Sequence, residues 1–292
     1  MVRIHVVRLK HLLAGVLLAA VLILLLIYLA MGLTRNEKTT GVMNQTQYVQ
    51  MEAEAMTVSA SAVFAKPDEE GMRAELVKKQ KAAPRVLIYH THTHEAYCQV
   101  KEDEYVETSA WRTKDSRHNV TKVGEVLTEL LTERGFSVIH DKTDHELNDL
   151  STAYTRSLET MEKYAGEIDV FIDIHRDAYN KNGSGNPFSL VTDEGDFARL
   201  MFLVGNGEGF EEKPFYAENY ALAQRLTSAV NELVPGLCRA VMVKDGRYNQ
   251  HLSPKSMLIE VGHNENTLAQ ALNGMPYLAD ALERVLLDEA GA

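Results

Sequence analysis

The chain is poor in the residues that staple small folds. Its two cysteines, Cys98 and Cys238, stand far apart among 292 residues and form no Cys-x-x-Cys pair. That excludes a zinc knuckle, a thioredoxin-like motif and a disulfide framework; the two thiols either pair once or stay free. Basic residues are also in deficit, with 30 Lys and Arg against 41 Asp and Glu and a formal net charge of -11. A nucleic-acid partner needs a basic patch to answer its phosphates, and none is visible. No internal repeat appears. The length admits one large domain or two small ones.

What is present begins with one long apolar run. Residues 12–33 carry no charge and follow a basic tail, residues 1–11, with Arg3, Arg8 and Lys10. About 22 residues at 1.5 Å each span a hydrocarbon core of roughly 30 Å. The run exceeds the roughly 7–15 apolar residues of a cleaved signal peptide. It predicts an uncleaved transmembrane helix, and the basic tail keeps the N-terminus in the cytoplasm and sends the rest across the cell membrane. Residues 34–83 are polar and rich in small residues, and predict a stalk, with a helical patch over Glu69–Lys81.

Residues 84–292 read as the folded domain. Apolar runs at Val86–Tyr89, Phe136–His140, Val170–Ile174, Leu200–Val204 and Met257–Val261 predict strands. Helical spacing covers Asn119–Arg134, Tyr154–Tyr164, Glu218–Val234 and Leu268–Asp288. Between them lie an irregular stretch, Gln99–His118, holding Trp111, and a Gly/Asn-rich loop at 180–186. This alternation predicts an α/β domain built on a single, largely parallel twisted sheet flanked by helices.

Three of the predicted strands end in chemistry. The first runs into His90, His92, His94 and Glu95. Along an extended strand the three histidines point the same way, and a bend after the strand lets His92 and Glu95 converge. Imidazoles beside a carboxylate suit a divalent cation. The second strand ends in Asp173-Ile174-His175-Arg176-Asp177, and the third carries Glu260 within an apolar run. A buried carboxylate there is costly unless it is paired or functional. Arg176 either forks onto a substrate carboxylate or neutralises Asp177. His118, His145, His251 and His263 have no comparable context and read as surface histidines. A catalytic zinc needs three such ligands and one open position, with a carboxylate beside the water.

At these residues the chain resembles the stage II sporulation protein P family. The stretch Tyr89-His90-Thr91-His92-x-x-Glu95-x-Tyr97 is similar to the family's opening motif. Further matches are Asn119-Val120, His140-Asp141-Lys142-Thr143, Asp173-x-His175-Arg176-Asp177-Ala178, Arg247-Tyr248-Asn249-Gln250-His251-Leu252 and Glu260-Val261-Gly262. The resemblance implies an N-acetylmuramoyl-L-alanine amidase-like fold and a Zn2+ site using the His90/His92 motif and His175, with Glu260 as catalytic carboxylate; Glu95, beside the histidines, is the acidic ligand chosen here. Which of His90, His94 and Glu95 complete the shell stays open. It further implies hydrolysis of peptidoglycan at the N-acetylmuramoyl-L-alanine amide, endopeptidase action on stem-peptide cross-links, and septal wall removal in sporulation beside a lytic transglycosylase partner. A metallophosphoesterase of the His-x-His type and a non-catalytic peptidoglycan-binding septal module are the rival readings. The first expects more His and Asp ligands and a cytoplasmic domain; the second expects a broken ligand set.

Overall fold

The computed structural model describes residues 83–290 apart from 148 and 179–187. The predicted tail, transmembrane helix, stalk up to residue 82 and loop at 180–186 lie outside the described residues. Among the described residues no helix is long and apolar enough to cross a membrane.

The chain opens with β1 (Arg85–Tyr89), crosses through α1 (Val120–Glu133) and returns as β2 (Ser137–His140). A short 3-10 turn leads into α2 (Ala153–Lys163) and then β3 (Val170–Asp177). A hairpin, β4 (Ser189–Thr192) and β5 (Gly195–Ala198), precedes β6 (Leu200–Gly205), α3 (Tyr216–Leu233) and β7 (Met242–Lys244). The last elements are β8 (Ser256–His263), α4 (Leu268–Asn273) and α5 (Met275–Ala290). Local sequence explains several boundaries. Asn119 caps α1 by accepting from the Thr121 amide, and Gly135, at φ 89, takes the left-handed turn after it. The single helix expected over Leu268–Asp288 is two. Gly274 ends α4, and Pro276, with no N–H to give, suits the first turn of α5.

The sheet order is β2-β1-β3-β8-β6-β7, with β4 and β5 forming a separate two-stranded sheet. β1, β2, β3 and β8 run parallel, as do β6 and β7, but β6 meets β8 antiparallel. The single, largely parallel sheet expected from sequence is therefore a mixed sheet with a satellite hairpin. The reason is the connection: no described helix crosses between β3 and β6, and parallel neighbours need such a crossover. The hairpin and β7 escape the hydrophobic pattern because they are short and partly exposed.

The two sheet faces are covered unequally. The larger core joins Val86, Ile88, Ile172 and Ile174 to the apolar faces of α1, α3, α4 and α5. The smaller joins Leu87, Tyr89 and Phe171 to Met161 of α2. Strand parity sorts the site residues between these faces. Cys98 and Cys238 are both free thiols, the second buried.

Candidate metal centre and hydrolytic site

β1 stops at Tyr89, and residues 91–94 turn. The same-face expectation for the three histidines fails for that reason. His90 keeps the parity of Val86 and Ile88 and enters the larger core. Its Nδ1 meets Ile174 O at 3.1 Å, and its Nε2 meets His140 Nε2 at 2.9 Å. Both ring nitrogens are thus spent, and burial pushes the ring down to about 4. His94 is spent as well: its Nε2 is 3.0 Å from Asp144 and its Nδ1 3.0 Å from Glu146.

His92 turns to the other face. Its ring stands edge-on to His175 at 5.3 Å and to Tyr154 at 5.6 Å. His92 Nδ1 donates to Glu146 Oε1 at 2.8 Å, which fixes the tautomer and leaves Nε2 with its lone pair. Arg112, from the irregular stretch, holds the same Glu146 oxygen.

The acidic cluster expected after the strand is inside it, because pairing with β8 carries β3 on to Asp177 and sets His175 beside Glu260. Asp173 and His175 share one side of β3 and are both buried. Asp173 accepts from the Thr91 amide at 2.8 Å and its hydroxyl at 2.6 Å, and faces His175 Nε2 at 3.0 Å. His175 Nδ1 lies 3.6 Å from Glu95 Oε2. Burial disfavours the charged ring, but Asp173 and then Glu95 outweigh it and raise His175 well above its ordinary value. Burial equally opposes ionisation of Glu95, yet His175 and then Arg176 hold it down to about 2. Glu260 goes the other way. Burial, with Glu95 and Asp177 adding to it, pushes its carboxyl up to about 8. Its Oε2 is buried with no hydrogen-bond partner among the described residues.

Arg176 does neither job expected of it. Its Nε donates to Ala96 O and its Nη2 to Trp111 O, both at 2.9 Å, and its backbone amide donates to Glu95 Oε2 at 3.0 Å. It straps the 96–111 loop and orients Glu95, while Arg239 neutralises Asp177 at 3.1 Å. The surface reading of the remaining histidines fails for His145 and His263, which are 1% and 0% exposed. His145 bridges His90 O and Thr160, and His263 packs edge-on against Phe188 at 4.3 Å. The surface reading fails for the His251 side chain too, which is 4% exposed, and His118 is partly buried against Asp103.

The structure thus gathers His92, Glu95, His175 and Glu260 and leaves out His90, His94 and Arg176. Among the described residues no group of three or more His, Cys, Asp or Glu side chains is assembled to hold a metal ion as it stands. The donor chemistry still fits zinc. Two ligands about 2.0–2.1 Å from a tetrahedral ion lie about 3.3–3.4 Å apart, close to the 3.6 Å between His175 Nδ1 and Glu95 Oε2. Each imidazole also has a carboxylate behind it, Glu146 for His92 and Asp173 for His175, the outer partners that metal-binding histidines use. Sequence reasoning missed Glu146, Thr91 and Tyr154. Asp173 was findable, being two residues from His175 on one strand face.

A family model described as stage II sporulation protein P (SpoIIP) matches residues 29–283. The chain belongs to this family. Stage II sporulation protein P of Bacillus subtilis (strain 168) is 29% identical over 218 residues, which are 70% of this chain and 51% of that protein. The SpoIIP-family chain here therefore spans about half the length of the curated relative it matches. Among solved structures, the N-acetylmuramoyl-L-alanine amidase AmiC2 of Nostoc punctiforme is similar over 71% of this chain and 98% of its own, with TM-score 0.43 and 14% identity. The CwlD amidase from Clostridioides difficile, in complex with the GerS lipoprotein, is similar over 69% and 98%, with TM-score 0.46 and 14% identity.

Proposed function

We propose that this chain is a zinc-dependent peptidoglycan hydrolase that cleaves the N-acetylmuramoyl-L-alanine amide bond during sporulation. Family membership supports the wall and the sporulation setting. The observation that carries the chemistry is Glu260: a carboxyl held in an apolar strand, its Oε2 unbonded, next to an imidazole flanked by two acids. Such a group destabilises the fold and is retained where it moves protons.

His92, Glu95 and His175 are the residues that would hold the metal. The chemistry zinc supplies when bound is Lewis acidity, which polarises an amide carbonyl and acidifies water. Glu260 Oε2 accepts a proton from the attacking water and delivers it to the departing amine. Asp173 holds His175 and Glu146 holds His92, so neither ring has to reorganise. A cation held by His92, Glu95 and His175 would favour the ionised form of Glu260, which burial otherwise holds up at about 8. The same chemistry serves stem-peptide cross-links. In this reading residues 12–33 tether the domain outside the cytoplasmic membrane, where a lytic transglycosylase opens the glycan strands beside it.

The test is the 292-residue chain incubated with purified peptidoglycan, with and without a chelator, and mass spectrometry of what is released. Free stem peptides and peptide-free glycan, lost on chelation, are the expected result. Wall material bound but uncut, by protein containing no metal, overturns the hydrolase and leaves a binding module.

A further inference from the structure

The Arg247-Tyr248-Asn249 motif has no part in the chemistry above, yet it borders a groove of about 510 Å³. Leu158 and Tyr154 of α2 form one side, and Phe210, Arg247, Tyr248 and Asn249 form the other. Tyr154 belongs to both places: its ring stacks on His175 at 6.4 Å and meets Tyr248 edge-on at 5.6 Å. The groove therefore opens beside the reacting end.

Its wall is built under strain. Tyr248 and Asn249 are consecutive non-glycine residues at φ 49 and φ 56, a conformation that asparagine tolerates and a bulky tyrosine does not favour. Two glycines make room for the Tyr248 ring. A Cβ on Gly205 would lie 2.8 Å from its Cδ2, and one on Gly246 3.1 Å from its Cε2. Asn249 Nδ2 ties the turn to α2, donating to Tyr154 O at 2.8 Å and Ser157 Oγ at 3.1 Å. Tyr248 is only partly buried, so core packing does not account for the strain; strained turns that present a side chain to a cleft point to ligand positioning.

Arg247 is the one cationic side chain among the residues that line the groove. The Arg247 guanidinium sits over the Phe210 ring at 4.9 Å and is 3.0 Å from Glu212 Oε2. The Glu212 side chain is 67% exposed against 19% for Arg247, and its Oε2 also lies 3.5 Å from His251 Nε2; a pair with one arm in solvent is weak, so a ligand carboxylate can take its place. Asp245 also lines the groove, its carboxylate accepting from Asn206 Nδ2 at 2.7 Å and keeping its negative charge. A planar fork over an aromatic face suits bidentate recognition of a carboxylate.

We propose that this groove is a subsite for the stem peptide, in which Arg247 grips a free peptide carboxylate while Tyr248 and Tyr154 flank the chain. The proposal rests on the hydrolase reading for its substrate class. The test uses the 292-residue chain carrying Glu260→Gln, so that binding is read without cleavage. The probes are the tetrapeptide L-Ala-γ-D-Glu-L-Lys-D-Ala with free carboxylates and its fully amidated form, titrated by calorimetry. The free form is expected to bind at least tenfold tighter. Arg247→Leu should erase that difference while leaving the circular dichroism unchanged, and Glu212→Gln should tighten binding several-fold by removing the internal competitor. Equal binding of the two peptides, unchanged binding in Arg247→Leu, or preference for peptide-free glycan overturns the subsite. Carboxylate-dependent binding by a chain that cuts no peptidoglycan leaves the subsite standing and removes only the hydrolase.

Discussion

His90 and His92 sit two residues apart and meet opposite electrostatics. His90 faces α1, in a niche where Gly124 leaves room for two imidazoles that meet each other at 2.9 Å. Burial lowers His90 to about 4, and burial together with His90 lowers His140 to about 3, so both are neutral at working pH. His92 faces α2, next to a histidine raised by two carboxylates and an acid raised by burial. The two sites share a strand end and a residue type. They differ in what backs the ring: His90 has a carbonyl and another imidazole on its two nitrogens, whereas His92 has a carboxylate on Nδ1 and faces His175.

The largest effect belongs to the open face. Glu260→Ala should lower peptidoglycan turnover about 10²–10⁴-fold, the range of a lost general acid–base, and should leave the melting temperature unchanged or raised. The second half sharpens the contrast, because an unbonded buried carboxyl weakens the fold it sits in. Turnover by mass spectrometry and melting by circular dichroism check both; a strongly lowered melting temperature with intact turnover would make Glu260 an ordinary structural residue.

On the closed face the expected signature is acid sensitivity. A histidine whose folded value lies below its ordinary 6.5 takes up protons more readily once unfolded. Its full contribution is therefore present above pH 6.5 and is lost as pH falls toward about 4. The loss for this coupled pair should reach the order of a few kcal/mol. Urea midpoints measured from pH 7 to pH 4 should fall across that window, and His140→Gln should flatten the fall. An equally steep fall in the variant would assign the acid sensitivity to other groups.

Between the faces stands Thr91. Its hydroxyl donates to Asp173, and Ser157 Oγ lies 2.8 Å away. Thr91→Val removes a hydrogen bond from the carboxylate behind His175 and should cost about 10–100-fold in metal affinity or activity, the usual price of an outer partner. Metal titration followed by turnover reads it. Restored activity at saturating metal is expected, because the defect lies in holding the ring and not in the proton transfer.

How far this contrast was legible in sequence depends on range. The short β4, β5 and β7 leave no local pattern. The five strands with apolar runs and the helical stretches follow from local patterning, and so does the placing of His92, Glu95, His175 and Glu260 at strand ends or within strands. The parting of His90 from His92 does not, because it depends on β1 ending at Tyr89 so that parity breaks there. Arg176 misled for a similar reason: its partners, Ala96 O and Trp111 O, are backbone carbonyls 80 and 65 residues away, and carbonyls leave no mark in a motif. Glu146 reaches His92 from 54 residues away in an irregular segment with no periodicity to announce it.

The smallest expected effect tests how rigid the closed face is. A Cβ on Gly124 would lie 2.7 Å from the His90 ring and 2.8 Å from His140 Nε2. Overpacking of that kind costs about 1–3 kcal/mol. Alanine is also the better helix former, and in the middle of α1 that gain is about 1 kcal/mol. The net expectation for Gly124→Ala is a loss of about 0–2 kcal/mol, read from urea midpoints at pH 7, with turnover per folded molecule unchanged because α1 covers the opposite face from His92 and Glu260. A stabilised variant would mean that His90 and His140 shift to make room, so that the pair is a soft filling and its neutral hydrogen bond contributes little. Lost turnover in a stable variant would break the separation itself, because a push on His90 would then have travelled through the 91–94 turn to the ring of His92.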